Sequence, residues 1–218
     1  STEGSVGHTL RRLIATPLSI RAEIFLPVSL CLLTNHARRE EIERVYSHPQ
    51  ALAQCRRWLA ENLPRVEQCE TASTSAAGRQ ALVDPAGAAV GSRLTGEING
   101  LAILAADIED NPGNTTRFLV LGRGEGELTG RDKTSILFGT PHVPGALHQA
   151  LAPIARERIN LLRIESHPLR DRKWEYFFFA DLAGHREDEP VAGCLREMAN
   201  TTTFIKVLGS YARGEEGS

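Results

Sequence analysis

Hydroxyl-bearing side chains are the residues of this sequence whose types and spacing point most directly to chemistry. Ser1 and Thr2 open the chain, Ser73–Ser75 precede a helix-like segment, and Thr115–Arg117 precede an apolar one. Free N–H groups at the start of a helix, together with the positive end of its dipole, favour a bound anion. Three such clusters at the ends of elements predict a cleft for a small carboxylate that is lined by neutral donors.

These residues also have a purely structural interpretation. Ser73, Thr74 and Ser75 are of the types that cap helices, where a side-chain oxygen accepts a backbone hydrogen bond. The guanidinium of Arg117 has the fork shape that pairs with a carboxylate of the protein itself. Taken one at a time, the structural interpretations are the more frequent ones, and the residues alone leave both open.

Other kinds of site have little support in the sequence. The four cysteines are scattered, and the seven histidines form no HxxxH or HExxH pattern, so neither a disulfide frame nor a metal site is predicted. No GxSxG nucleophile motif is present. A formal charge of −2 without a basic segment argues against a nucleic-acid partner. No apolar run approaches the roughly 20 residues that a membrane span requires.

The elements that must position the hydroxyl clusters alternate between strands and helices, which predicts an α/β architecture up to residue 122. A helix is predicted from Pro49, with Leu52, Cys55 and Leu59 on its buried face. RVEQCE follows as a short strand, and the hydroxyls at 73–75 lead into the next helix.

Two further segments are predicted to be strands with apolar faces. In SIRAEIFL the alternation places Ile20, Ala22, Ile24 and Leu26 on one face. Four consecutive apolar residues, Phe118–Leu121, predict a strand that is buried on both faces.

A second unit is predicted after a glycine-rich segment. From Thr134 onward the patterns give strand, helix, two strands, helix and strand, which is the ferredoxin-like βαββαβ order. The predicted divisions are an α/β domain over 1–122, a linker over 123–133, a βαββαβ domain over 134–211 and a loose tail over 212–218.

Strings along the chain resemble one enzyme family. STEGSV, SHPQALAQC, STSAA, NGLAILAADIED and NTTRFLVLG resemble, in this order, the prephenate dehydratases. GTPHVPGALHQAL, LLRIESHP, WEYFFFADLAGH and FIKVLGSYAR resemble the ACT regulatory domain that follows that enzyme. The resemblance implies a bilobal α/β domain similar to periplasmic binding proteins, with the active site between its lobes, followed by a ferredoxin-like ACT domain.

The resemblance also implies an activity and a set of site residues. The family converts prephenate to phenylpyruvate, water and carbon dioxide in phenylalanine biosynthesis, without a cofactor. Thr116, in the TRF string, is the residue associated with the chemistry, and its hydroxyl would donate to the departing oxygen. The expected prephenate contacts are Ser1, Thr2, Ser73, Thr74, Ser75 and Arg117. A cytoplasmic homodimer or homotetramer is expected.

L-Phenylalanine is the expected effector of the regulatory domain. Gly145 and the N–H groups after it would hold its carboxylate, Glu165 its ammonium group and Leu147 its ring. His167 stands where the family usually has arginine, so we expect either a different anchoring of this loop or a pH-dependent response. The expected effector contacts are Gly145, Ala146, Leu147, His148, Glu165 and Ser166.

The beginning of the chain and two competing functions complete the expectations. The chain opens at Ser1, without the first strand and glycine-containing segment that usually precede it in the family, so a truncated enzyme with little activity of its own is expected. Whether a chorismate mutase domain precedes Ser1 stays open. One alternative is a catalytically inactive, amino-acid-binding regulatory fragment, which a turnover assay would distinguish. A generic solute-binding protein is disfavoured because no export signal is seen.

Overall fold

A computed structural model of the chain describes residues 12–113, 115–124, 126–168 and 176–214. These residues form two compact units. The first, which we call the α/β unit, is Leu26–Thr116, and the second, the regulatory unit, joins residues 12–25 to the residues from Arg117 onward.

Strands and helices alternate through both units, and residues 12–15 and Arg39–Glu41 add a helical turn and a 3-10 turn. The strands are β1 (Ser19–Pro27), β2 (Cys31–Thr34), β3 (Arg44–Ser47), β4 (Glu67–Glu70), β5 (Gly87–Gly91), β6 (Ala102–Ala105), β7 (Thr115–Gly122), β8 (Asp132–Gly139), β9 (Leu161–Pro168), β10 (Tyr176–Ala183) and β11 (Phe204–Ala212). The helices are α1 (Pro49–Gln54), α2 (Arg56–Asn62), α3 (Thr74–Val83), α4 (Arg93–Asn99), α5 (Ala146–Arg156) and α6 (Glu189–Thr201).

The α/β unit is built on a five-stranded sheet in the order β4-β3-β5-β2-β6. Strand β3 is parallel to β4 and β5, whereas β2 is antiparallel to β5 and β6. Adjacent side chains of β2 point to opposite faces, so Leu32 packs with Leu52 and Leu59 while Leu33 packs with Ala77 and Leu101. Helices therefore cover both faces, and the predicted α/β class is confirmed.

The helix predicted from Pro49 starts as expected but is interrupted. His48 Nδ1 accepts a hydrogen bond from the N–H of Gln50, and Pro49 occupies the first helical position. Cys55 leaves helical geometry at φ −113° and ψ 15°, which divides the segment into α1 and α2. The predicted buried face is confirmed, and burial raises the pKa of the Cys55 thiol to about 12. This thiol therefore stays protonated and serves in packing.

The second of these helices is capped by a distant residue. The carboxylate of Asp110 accepts hydrogen bonds from the N–H groups of Arg57 (2.9 Å) and Trp58 (3.1 Å). Such a carboxylate satisfies N–H groups that have no intrahelical acceptor and interacts favourably with the helix dipole. The contact with Asp110 thus satisfies N–H groups that the interruption at Cys55 leaves without a helical acceptor.

The regulatory unit contains the predicted βαββαβ arrangement, which is confirmed. Its four strands lie in the order β11-β8-β10-β9, and every neighbouring pair is antiparallel. Helices α5 and α6 cover one face, where Ile136, Phe138, Phe178, Ala180 and Met198 form the core. We call the opposite side, which neither α5 nor α6 covers, the helix-free face.

A two-stranded ribbon of β1 and β7 belongs to neither sheet. Leu13, Ile20 and Leu119 pack against Phe179 and Tyr211 on the helix-free face of the regulatory sheet. Strand β8 is buried along its whole length because helices cover one face and these residues cover the other.

The ribbon corrects two expectations about buried apolar faces. Ile24 and Leu26 are half exposed. After Ile20, the next buried residue along β1 is Glu23. Phe118–Leu121 do not form a strand buried on both faces, since the solvent exposure alternates along β7. One face of the ribbon is covered and the other is open. Within the apolar run, Phe118, Val120 and Leu121 are exposed and Leu119 is partly buried.

We expect Leu59→Ala to lower the free energy of unfolding by about 2–5 kcal/mol, because this fully buried side chain would leave a cavity in the core of the α/β unit. Urea denaturation followed by circular dichroism measures the change. Leu82→Ala is the matched control: Leu82 is half exposed on α3, and its effect should stay within about 0.5 kcal/mol. Equal losses in the two variants would contradict the assigned core.

Candidate active site and effector site

The carboxyl edge of the α/β sheet gathers the starts of three helices. Parallel neighbours β4, β3 and β5 are followed by α3, α1 and α4, respectively. The N-caps Ser73, His48 and Ser92 each accept a backbone hydrogen bond with their side chains. In open α/β sheets the carboxyl edge is the side on which ligands bind. This edge is therefore the candidate active-site side of the unit.

Ser73–Ser75 lie at the start of α3, as the sequence predicted. Ser73 Oγ accepts from the N–H of Ala76 at 3.1 Å, which is the structural role considered for it. Helix geometry leaves the N–H groups of Thr74 and Ser75 without an intrahelical acceptor, and Ser75 Oγ accepts from Arg79 at 3.2 Å. Capping by Ser73 leaves its own O–H free to donate, so both interpretations of this cluster are compatible.

Thr116 lies at the start of β7 with an exposed side chain. Within the described ranges, its hydroxyl makes no hydrogen bond to another residue, and Thr115 beside it is half-buried. An unpartnered hydroxyl on a strand is a ready donor for a bound molecule. Ser1 and Thr2 lie outside the described residues.

Arg117 occupies a buried ion network in the regulatory unit. Its Nε lies 2.7 Å from Glu23 Oε2, its Nη1 donates to Asp181 Oδ2 at 2.6 Å, and its Nη2 donates to the Tyr211 hydroxyl at 2.8 Å. Lys133 Nζ completes the network at 2.6 Å from Glu23 Oε2. The structure thus places Arg117 in the ion-pairing role that the sequence left as an alternative to prephenate binding.

The surroundings of Arg117 and Tyr211 raise the pKa of both groups. Burial alone would lower the pKa of Arg117, but the interactions with Asp181, Tyr211 and Glu23 together outweigh it, and the pKa lies above its usual value. Burial raises the pKa of Tyr211, and Asp181 raises it further. Ser135 Oγ donates to Asp181 Oδ1 at 2.5 Å and lies 2.6 Å from the Tyr211 hydroxyl. Because Ser135 donates to Asp181, Tyr211 donates to Ser135.

The sequence reasoning missed Glu23, Lys133, Asp181 and Tyr211. One signal was available for Asp181, which is the single charged residue in the apolar string YFFFADLA. A charge inside such a run requires a partner of opposite sign, since an unpaired buried charge is strongly destabilising. A cavity of about 350 Å³ adjoins the network, and its walls are Phe25, Arg117, Lys133, Leu162, Arg163, Asp181 and Arg213.

The predicted carboxylate-binding turn of the effector site lies at the start of α5. Gly145 has a left-handed φ of +79°, and among the described residues beyond its chain neighbours no atom lies within 4 Å of the position that a Cβ would take. The left-handed backbone angle favours glycine at this position, because a residue with a Cβ would be strained there. The N–H of Ala146 donates to Val143, while helix geometry leaves those of Leu147 and His148 without an intrahelical acceptor.

The side chains at this turn have different surroundings. Ala146 is buried, and Leu147 is partly buried against the core between helices and sheet. His148 is exposed. Leu147 thus already has apolar partners in its own chain.

Glu165 and Ser166 point to opposite faces of the regulatory sheet. Glu165 is paired in register with Phe179 on the helix-free face, and Ser166 with Phe178 on the helix side. Arg163 Nε donates to Glu165 Oε1 at 2.5 Å, and His167 Nε2 lies 3.3 Å from Glu165 Oε2. Burial alone would raise the pKa of Glu165, but these contacts lower it below its usual value.

His167 is held by the same contacts on the helix-free face. Its ring stacks on Phe177 with a centroid distance of 5.3 Å. Across the described ranges, no group of three or more His, Cys, Asp or Glu residues is arranged to hold a metal ion. None of the helices described is both long and apolar enough to cross a membrane.

Two family models match the chain. One described as prephenate dehydratase matches residues 1–126, and one described as ACT domain matches residues 134–200. The bifunctional chorismate mutase/prephenate dehydratase of Aquifex aeolicus (strain VF5) is 46% identical over 211 residues, which are 97% of this chain and 58% of that protein. The chain spans 58–59% of the length of four such bifunctional relatives.

A shorter relative and a solved structure match in the same way. The prephenate dehydratase of Mycobacterium sp. (strain JLS) is 38% identical over 217 residues, covering 98% of this chain and 69% of that protein. The crystal structure of a prephenate dehydratase from Arthrobacter aurescens, in complex with L-Phe, has a TM-score of 0.85 and 38% identity. That match covers 98% of this chain and 72% of the other.

We expect the stabilisation from Glu165 to depend on pH. Its folded-state pKa is lowered, so the carboxylate contributes fully above the unfolded pKa of about 4.3 and loses this contribution as pH falls through the folded value. The difference in free energy of unfolding between the wild type and Glu165→Gln should therefore shrink from pH 7 to pH 3, measured by urea denaturation. A difference that stays constant over this range would show that the ion pairs add nothing to stability.

Proposed function

The chain belongs to the prephenate dehydratase family, and from this premise we propose that it converts prephenate to phenylpyruvate, water and carbon dioxide. The observation that carries the proposal is the exposed hydroxyl of Thr116 at the start of β7, in the TRF string, which has no hydrogen-bond partner among the residues that the structure describes. The three helix starts at the carboxyl edge of the same unit support it.

The reaction needs help for its leaving group more than for its driving force. The bond from the ring to the carboxylate breaks, its electron pair enters the ring, and the ring becomes aromatic as the hydroxyl group departs from the opposite carbon. The Thr116 hydroxyl donates a hydrogen bond to this departing oxygen as negative charge develops on it. A threonine hydroxyl is a weak acid, so the contribution is charge stabilisation before proton transfer.

Neutral donors suit the two carboxylates of prephenate. We assign one carboxylate to the free N–H groups of Thr74 and Ser75 and to the Ser73 hydroxyl, where the dipole of α3 adds a favourable term. Acidic groups in this place would repel a dianion. Arg117 receives no direct prephenate contact in this proposal, because Glu23 and Asp181 already bind its guanidinium.

Phenylalanine is the proposed effector of the regulatory unit. The match to an ACT domain and the L-Phe complex of the Arthrobacter aurescens protein support this assignment. We assign the amino acid's carboxylate to the N–H groups of Leu147 and His148 and its ammonium group to Glu165. Ser166 faces the opposite side of β9 from Glu165, so we propose that two copies of the chain, in a homodimer or homotetramer, complete the site.

Thr116→Ala should lower kcat for phenylpyruvate formation by about 10²-fold or more, because a positioned proton donor contributes this much to a leaving group. Thr116→Ser keeps the hydroxyl and should retain more activity than the alanine variant. The assay uses the protein as its gene encodes it and follows the formation of phenylpyruvate by absorbance. Thr115→Ala, at the half-buried neighbour, is the control and should stay within about threefold of wild type.

Two results would contradict this assignment. Wild-type turnover by Thr116→Ala would make Thr116 a strand residue without a chemical role. Absence of turnover in the folded wild type, with phenylalanine still bound, would favour the alternative of a catalytically inactive regulatory protein.

Gly145→Ala should weaken phenylalanine binding by about tenfold or more, because φ +79° is strained for alanine and the turn that presents the N–H groups would shift. Isothermal titration calorimetry of the full chain measures the affinity. Gly193→Ala is the matched control: Gly193 lies inside α6, where alanine fits without strain. Equal affinities in all three proteins would place the effector elsewhere.

A further inference from the structure

The chain passes between the two units at two places, and both lie in the β1–β7 ribbon. The crossings fall between Phe25 and Leu26 and between Thr116 and Arg117. Near each crossing a charged side chain turns inward: Glu23 from β1 and Arg117 from β7. These two residues bind each other at 2.7 Å.

Two residues of the regulatory sheet fix this point of the ribbon. Lys133 of β8 binds Glu23, and Asp181 of β10 binds Arg117. The exposed fractions of the side chains are 0% for Glu23, 9% for Arg117, 7% for Lys133 and 1% for Asp181. Two cations and two carboxylates balance, so loss or displacement of one partner is strongly unfavourable and must move the others.

The position of Arg117 determines the direction of the Thr116 side chain. Side chains alternate along a strand, so Arg117 faces the regulatory sheet and Thr116 faces the other way. A rotation or shift of β7 that lengthens the Arg117–Asp181 contact therefore displaces the Thr116 hydroxyl as well. Displacements of about 1 Å at a reacting group reduce catalysis strongly.

The proposed effector contact adjoins the same network. Glu165 binds Arg163, and Arg163 is paired in register with Asp181 on the helix-free face. Arg163 also lines the cavity of about 350 Å³ together with Arg117, Lys133 and Asp181. An ammonium group that binds Glu165 competes with Arg163, and the released guanidinium has room to approach Asp181 inside this cavity.

We propose that Arg117 is a positioning residue, and that effector binding at Glu165 releases Arg163 to compete for Asp181, which loosens Arg117 and displaces Thr116. This relay rests on the proposed function, since it needs phenylalanine as the effector and Thr116 as the catalytic group. It assigns to the TRF arginine a role in regulation and none in direct prephenate binding.

Arg163→Gln removes the competing cation and is the principal test. Arg163 is 44% exposed on its side chain, so the variant should fold. Arg156→Gln is the matched control, because Arg156 is likewise an exposed arginine bound to a glutamate, Glu197, on the helix side of the same unit. We expect phenylalanine to bind both variants in calorimetry. The ratio of turnover without phenylalanine to turnover with it should fall about fivefold or more in Arg163→Gln alone.

Hydrogen–deuterium exchange supplies a readout that does not depend on turnover. In the wild type and in Arg156→Gln, phenylalanine should raise exchange in peptides that span Thr115–Gly122. In Arg163→Gln these peptides should not respond, although peptides around Gly145 still do. The relay would be overturned if phenylalanine left the exchange of β7 unchanged in the wild type, or if it raised that exchange in Arg163→Gln as much as in the wild type.

A second variant separates positioning from general stability. Tyr211→Phe removes one hydroxyl that binds Arg117 and keeps every charge. We expect kcat to fall about threefold or more while KM changes less than twofold, because a misplaced Thr116 affects the departing oxygen and not prephenate binding. A rise in KM with unchanged kcat would contradict the positioning role. Lack of turnover in the wild type would refute the enzyme proposal, and the exchange experiment would still decide the relay.

Discussion

Four charged side chains buried against one another are the constraint on which the regulatory unit depends. Glu23, Arg117, Lys133 and Asp181 come from four different strands, and each carries a charge that cannot stay unpaired out of water. Their balance fixes which face of the ribbon turns inward. The inward face carries the guanidinium and Leu119, so Phe118 and Val120 are left exposed. An ion network thus outweighs the apolar preference of this strand.

The sequence predicted the elements whose determinants are local. His48 and Pro49 mark a helix start within two residues, and Ser73 caps α3 through a contact three residues away. The spacing of Leu52, Cys55 and Leu59 needs no knowledge of the rest of the fold, since helical period alone places them together. The βαββαβ order followed from the same kind of pattern.

Contacts between distant residues account for what the sequence did not reveal. Arg117 binds Asp181 64 residues away and Tyr211 94 residues away, and no local pattern encodes such pairs. The division of α1 from α2 is similar, because Asp110 caps α2 from about 50 residues downstream. At the candidate active site, the prediction of the hydroxyl clusters rested on residue type. The sequence left open whether Arg117 binds a ligand or a carboxylate of the protein itself, because Glu23 and Asp181 come close to it only in the folded chain.

Strand geometry at the pair Thr116–Arg117 is compatible with the two different roles that we propose for these neighbours. Strand geometry sends consecutive side chains to opposite sides, so a residue bonded to a rigid network sits one peptide bond from a residue that is free to contact a ligand. Arg117 makes the contacts that fix the backbone of this strand, so the Thr116 hydroxyl does not need to use its donor for that purpose. In the proposed positioning role, Arg117→Lys would alter the site even though it conserves charge, because lysine lacks the fork that binds two carboxylates and a hydroxyl together.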